Sequence, residues 1–258
     1  EYVNEFFRYQ ESHDKFLDVL LLVASNPKHY FNADSLHKHL MKFALPDRDA
    51  WWSIYVHDKF DEKTSVRRLI DWAWSDEDKS HISDDSIRLT AKAIAWFLTS
   101  SNRFLRDSAT KALVALLENR ISVLLQLLKE FEGVNDPYVY ERLFAVAYGC
   151  TLRTKDTNAL KSLSEYIYQT IFDKEYVYPH ILLRDYAREI IEYLLHLGLN
   201  INIDAKKIRP PYKSEWPDRL PTNGEIEKYE FDYKAKDFKD YYWGQNAIIH
   251  SMVTEYGR

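Results

Sequence analysis

The chain has 258 residues, 46% of them hydrophobic and 29% charged, with a net charge of −5. Only 6 Gly and 8 Pro argue against a many-turned β-protein and against disorder, and the mild negative balance supplies no general field to gather nucleic acid or acidic membranes. The lone Cys150 cannot form an internal disulfide, and no apolar run reaches membrane-spanning length, Leu20-Leu21-Leu22-Val23-Ala24 being the strongest.

In chain order, the spacing predicts one long helix over Glu5–Ala24, with Phe6, Tyr9, His13, Phe16, Leu17, Leu20, Leu21 and Ala24 as its buried stripe. Asn26-Pro27 ends it. Asn32 caps a short helix running through Phe43. Pro46 sits in the first turn of the next helix, which reaches about Phe60 and carries Trp51 and Trp52. Thr64 opens a helix with Val66, Leu69, Ile70 and either Ala73 or Trp74 inward. Ser83 caps the following one, with Asp84 and Asp85 in its first turn, where the helix dipole favours negative charge. From Ser86 to Phe131 the pattern reads helix, turn, helix, turn, helix, with breaks at Ser101-Asn102 and Asn119-Arg120. Gly133 is expected to close the hairpin in the left-handed conformation. Asp136 caps a helix begun by Pro137 and reaching Leu152, inside which Gly149 signals close packing or an early end. Further helices are expected over Asp156–Phe172 and His180–Leu197, the latter ended by Gly198.

Four of these stretches share one spacing. Leu105, Ala109, Ala112, Leu113, Leu116 and Leu117 occupy one face of a 3.6-residue helix, and Leu183, Ala187, Ile190, Ile191, Leu194 and Leu195 repeat the steps. Val139 to Cys150 and Ile87 to Leu98 follow the same register, which puts Cys150 on an apolar face. Small residues at the second position (Ala91, Ala109, Ala187) allow close helix approach. With the Arg106-Asp107, Arg184-Asp185 and Asp136-Pro137-Tyr138-Val139 words, the pattern resembles HEAT repeats. The fold expected is all-α, a HEAT-like or irregular helical-repeat solenoid. Its divisions would be a Trp-rich N-terminal layer (1–78), the helical repeats (79–198), and a proline-rich extended arm ending in a helix (199–258). Four of the 8 prolines lie between Pro210 and Pro221. Tyr229, Phe231 and Tyr233 alternate with charged residues as a short strand would, and Asp240–Tyr256 returns to helical spacing. The aromatic content of the arm suggests that it lies along the solenoid.

Two regions carry a further resemblance. Asn32-Ala33-Asp34-Ser35-Leu36-His37, Leu45-Pro46-Asp47-Arg48-Asp49-Ala50-Trp51-Trp52-Ser53-Ile54 and Val66-Arg67-Arg68-Leu69-Ile70-Asp71-Trp72-Ala73-Trp74-Ser75 resemble the helical region of large bacterial STAND NTPases, the antiphage AVAST-type and NACHT-like proteins. Asp240-Tyr241-Tyr242-Trp243-Gly244-Gln245-Asn246 through Thr254-Glu255-Tyr256-Gly257-Arg258 is similar to a later stretch of such proteins. The resemblance implies a cytoplasmic, target-sensing region beyond the ATPase module of a longer bacterial defence protein. Its partner would be the rest of the parent chain or a phage protein. The start at Glu1-Tyr2 fits a fragment, and the GxxxxGK[ST] phosphate loop is missing, so any ATPase chemistry would lie elsewhere.

The residues themselves point to no catalytic, cofactor or metal site. His37 and His39 face opposite sides of a helix, and His57-Asp58 lacks a second histidine at i, i+4. Asp47, Asp49 and Asp58 read as the solvated face of their helix. The unusual feature is the cluster Trp51, Trp52, Trp72, Trp74 and Trp96, because adjacent tryptophans cannot all face one core. Trp51, Trp52, Trp72 and Trp74, with Arg106 and Arg184, are the candidate partner-binding residues. The function expected is a non-catalytic protein-recognition scaffold. The alternatives are a nucleic-acid-binding helical repeat, drawing on Arg103, Arg106, Lys111, Arg120 and the Lys206-Lys207-Arg209-Lys213 run, and a helical enzyme. A pocket with convergent titratable groups would favour the enzyme.

Overall fold

The computed structural model describes residues 10–60, 63–214, 219–227 and 234. Among them the secondary structure is entirely helical, as the periodicity requires. Phe6, Tyr9, the Tyr229–Tyr233 alternation and the helix expected at Asp240–Tyr256 lie outside the described residues.

The helices are α1 (Gln10–Val23), α2 (Ala33–Leu40), α3 (Leu45–Arg48), α4 (Ile54–Asp58), α5 (Ser65–Trp74), α6 (Asp84–Phe97), α7 (Arg103–Leu117), α8 (Ile121–Phe131), α9 (Pro137–Thr151), α10 (Thr157–Ile167), α11 (Ile181–His196) and α12 (Asn223–Ile226). A π-helical turn, Asp49–Ser53, joins α3 to α4, and a second, Tyr168–Phe172, extends α10. The starts are written in the sequence. Asn32, Ser83, Asn102, Asp136 and Asp156 each accept a backbone N–H of the helix that they precede. Pro46 and Pro137 stand in first turns, where their missing N–H costs nothing.

Alternate helices stack in two rows. One row runs α1, α5, α7, α9, α11, and the other α2, α6, α8, α10. One continuous core lies between them, built from the expected stripes: Leu105, Ala109, Ala112, Leu113 and Leu117 of α7, Val139, Leu143, Ala147 and Cys150 of α9, and Leu183, Ala187, Ile190 and Ile191 of α11 are all buried. Burying a leucine or isoleucine contributes about 1.5–3 kcal/mol, and this repeated stripe is the main source of stability. Gly149 does not end α9. A Cβ there would come within 2.9 Å of Val114 Cγ2, so the missing side chain lets α9 press onto α7. Burial pushes the Cys150 thiol up, and it packs as a small hydrophobe.

Two expectations are corrected or resolved. Gly133 is not left-handed; among the described residues only Gly198, with φ 71°, has that conformation. The α8–α9 connection is instead held by Val134 N donating to Phe131 O. In α5, Ala73 faces inward and Trp74 outward. Residues 201–214 of the arm lie along the stack: Val177 N donates to Lys213 O, Ile208 is buried, and Tyr212 packs against Phe172.

Candidate functional site

The tryptophans sort as their spacing requires. Trp52 is completely buried, its indole N–H donating to Trp96 O at 3.0 Å, so it offers no surface to a partner. Trp96 is buried as well and donates to His37 Nδ1. Trp51 is half-buried among His13, His39 and Phe43. Trp72 is half-buried beside the Lys79 ammonium. Among the described tryptophans, only Trp74, 45% exposed beneath Lys111, presents a broad face.

Arg106 and Arg184 occupy matching places, four residues after the caps Asn102 and His180. Each guanidinium lies 4.9 Å from a tyrosine ring, Tyr138 and Tyr212 respectively. Each Nη1 donates once, to Ser100 O and to Ser214 Oγ, and each Nε is buried without a partner. The stacked ring partly offsets that cost. The two stand on α7 and α11, separated by α9, and are not brought to one site.

Two concavities lie at opposite ends of the α6–α7 pair. At the α6 N-terminal end, a groove of about 830 Å³ is lined by Trp74, Lys79, Asp84, Glu118, Arg120 and Asp156, among others. Its two cations are engaged within the chain, Arg120 pairing with Asp84 and donating to Lys79 O and Lys79 Nζ donating to Ser75 O, while Asp76, Glu77, Asp78, Glu118 and Asp156 add further carboxylates to the lining.

The second is a cleft of about 540 Å³ at the α6 C-terminal end, where the first turns of α7 and α9 meet the π turn. Leu45, Ile54 and Tyr138 supply apolar wall, and Asp49, Asp58, Arg106 and Asp136 supply charge. Ser53 forms the junction. Its hydroxyl lies 2.7 Å from Asp49 Oδ1 and 3.2 Å from Thr99 O, so one hydrogen serves both acceptors. The π turn sets this up by bringing Asp49 and Ser53 together beside the Thr99 carbonyl, just past the end of α6.

The carboxylates differ. Asp136 is fully engaged: Oδ1 accepts the Tyr138 and Val139 N–H groups, and Oδ2 accepts Arg48 Nη2 at 3.1 Å. Arg48 is itself completely buried, bonded also to Asn135 Oδ1 at 2.6 Å and resting over the Trp96 ring. Asp49 has no hydrogen bond to a charged donor; its nearest cation atom is Arg48 Nε at 3.9 Å. Burial pushes the Asp49 carboxyl above its ordinary range, and the Ser53 hydroxyl and Arg48 only partly oppose this.

Sequence reasoning assigned Asp49 and Asp58 to a solvated face. That holds for Asp58, which is exposed, but Asp49 is half-buried. The regular 3.6-residue period assumed there misses the slip that a π turn introduces. Among the described residues, no group of three or more His, Cys, Asp or Glu side chains is placed to hold a metal ion. No protein-family model, curated protein or solved structure matches the chain.

Proposed function

We propose that the chain is a non-catalytic protein-recognition scaffold that engages its partner at the α6–α7–α9 end carrying the cleft. The observation behind this reading is the setting of the cleft. Ile54 and Tyr138 of its lining stand exposed, Phe104 in the first turn of α7 is 77% exposed, and an incompletely paired carboxyl lines the cleft. Exposed aromatics beside a concavity are the usual anchors of protein interfaces. The STAND-type resemblance extends the proposal to the target-sensing region of a larger defence ATPase with HEAT-like repeats.

The alternatives have less support. Three basic residues of the 206–213 run are engaged within the chain: Lys207 with Asp173, Arg209 with Glu192, and Lys213 with Glu175. A phosphate backbone would have to break these pairs. In the cleft, Ser53 is buried and its hydroxyl already serves two acceptors, which suits a positioning role better than a nucleophile's.

The test is site-specific photocrosslinking with benzoylphenylalanine at position 104, and at position 80 at the opposite end as a control, in cells containing the native partner pool. A discrete crosslinked protein from position 104 alone supports the proposal. Equal labelling from both positions, or none from either, overturns it.

A further inference from the structure

We propose that residues 201–214 form a strap that stands in for the next layer of the stack and opens as a unit while the stack stays folded. The inference does not depend on the recognition reading at the cleft. Its motive is a contact made twice. Arg106 is the fourth residue of α7, and Tyr138, the second residue of the next helix in the row, lies 4.9 Å from its guanidinium. Arg184 is the fourth residue of α11, and Tyr212 of the arm lies at the same 4.9 Å. In each case Nη1 donates to one oxygen, Ser100 O on α7's side and the arm's Ser214 Oγ on α11's side. Layers of a stack contact mainly their neighbours, so the last one leaves a face open unless something covers it. Among the described residues the row ends at α11, and the arm supplies the ring that a further helix would bring.

The two rings are held differently. Tyr138 is built into α9, which packs against both α7 and α11. Tyr212 stands on a segment without helix or strand, anchored by Ile201 and Ile208, with Ile203 and Tyr212 itself partly buried. Two hydrogen bonds join its end to the loop before α11: Lys213 O accepts Val177 N–H, and Ser214 Oγ donates to Val177 O. The remaining ties are the ion pairs Lys207–Asp173, Arg209–Glu192 and Lys213–Glu175, whose cations are each at least half exposed. Exposed pairs of this kind are weak and screened by salt. A segment with few buried apolar anchors and exposed polar ties is what opens first in a folded protein. Opening would bare the outer side of α11 at Arg184, while Leu183, Ala187, Ile190 and Ile191 stay in the core.

The chain carries its own control, because its single cysteine, Cys150, is sealed in the core between α7 and α9. In the Ile208→Cys variant of the whole chain, a thiol reagent reports strap opening at position 208 and stack opening at position 150. Position 208 should react about a hundredfold faster than position 150, yet more slowly than the same thiol in urea. Raised salt should speed position 208 several-fold and leave position 150 unchanged. Adding Tyr212→Ala should speed position 208 about tenfold, through loss of the ring over Arg184, again without effect at position 150. Ile208→Cys itself trims an anchor, so hydrogen exchange at the Val177 amide of the unsubstituted chain gives an independent reading. That amide should be protected, but less than amides in the middle of α9. Equal rates at the two thiols, equal exchange at Val177 and in α9, or Tyr212→Ala speeding both thiols alike would overturn the inference, since the strap would then open only with the stack. An unprotected Val177 amide would overturn it as well, since no strap would be docked.

Discussion

The two ends of the α6–α7 pair differ in how deeply their charges are buried. At the groove, Asp84 and Asp85 sit in the first turn of α6, where negative charge is favoured, and Arg120 crosses from the α7–α8 turn to pair with Asp84. That placement follows the α6 dipole, whereas Glu118 in the same groove caps the carbonyl end of α7 against it. At the cleft, the Arg106 guanidinium donates to Ser100 O just past the carbonyl end of α6, and the buried Arg48–Asp136 pair stands beside the half-buried Asp49 carboxyl.

The sharpest way to test that contrast is to remove one arginine from each end. Arg48 is completely buried, and its loss leaves the Asp136 carboxylate without its charged partner. Arg48→Ala should cost about 3–5 kcal/mol in urea unfolding, because an uncompensated buried charge remains. Arg120→Ala removes a pair whose acidic partner is well exposed and should cost about 1 kcal/mol or less. Equal costs would erase the distinction between a cleft end built on buried charge and a groove end built on surface pairing.

The second prediction concerns the layer behind the cleft. His37 accepts the Trp96 indole N–H, and burial with the nearby Lys92 lowers its pKa to about 4, against the opposing Glu130 and Asp34 charges. A depressed folded pKa means that the unfolded chain takes the proton first as pH falls. Stability from this group is therefore full above about 6.5 and drains away as pH drops toward 4, by on the order of 2–3 kcal/mol. Burial lowers His13 and His39 too, which steepens the same window. Asp34 behaves likewise further down: its hydrogen bonds to Arg88 hold it well below the carboxylate range, and that contribution is lost only in stronger acid. Unfolding midpoints measured from pH 7 to pH 4 should fall, and His37→Asn should flatten much of the slope. A profile unchanged by that substitution would place the proton uptake elsewhere.

The repeated stripe shows why much of the fold was legible. The 3.6-residue apolar spacing on α6, α7, α9 and α11 and the polar caps before them are local signals, and the core follows them. Gly149 was legible only as an ambiguity, since its meaning depends on Val114 across the α7–α9 contact. Gly149→Ala should cost about 1 kcal/mol net in thermal or urea unfolding: the crowded Val114 must shift, while the helix regains roughly the propensity that glycine gives up. A stabilised variant would mean that Val114 yields freely. The cleft was not legible, because three elements distant in sequence form it and the π turn breaks the period that assigned Asp49 to solvent. The tryptophan spacing indicated correctly that the rings diverge, but not that Trp52 would be the one sealed inside.

The smallest expected effect is also the most discriminating. Burial raises the folded-state pKa of Asp49, so ionising it at neutral pH opposes folding. Asp49→Asn removes that penalty and keeps the Ser53 acceptor, so the variant should be slightly more stable than the parent at pH 7. The sign sets the pH window. Below the ordinary carboxylate range Asp49 is protonated in both states and the gain vanishes; it grows as pH rises through the folded pKa and then levels off. A surface carboxylate would show neither the gain nor the window, and one locked in a structural ion pair would show a loss.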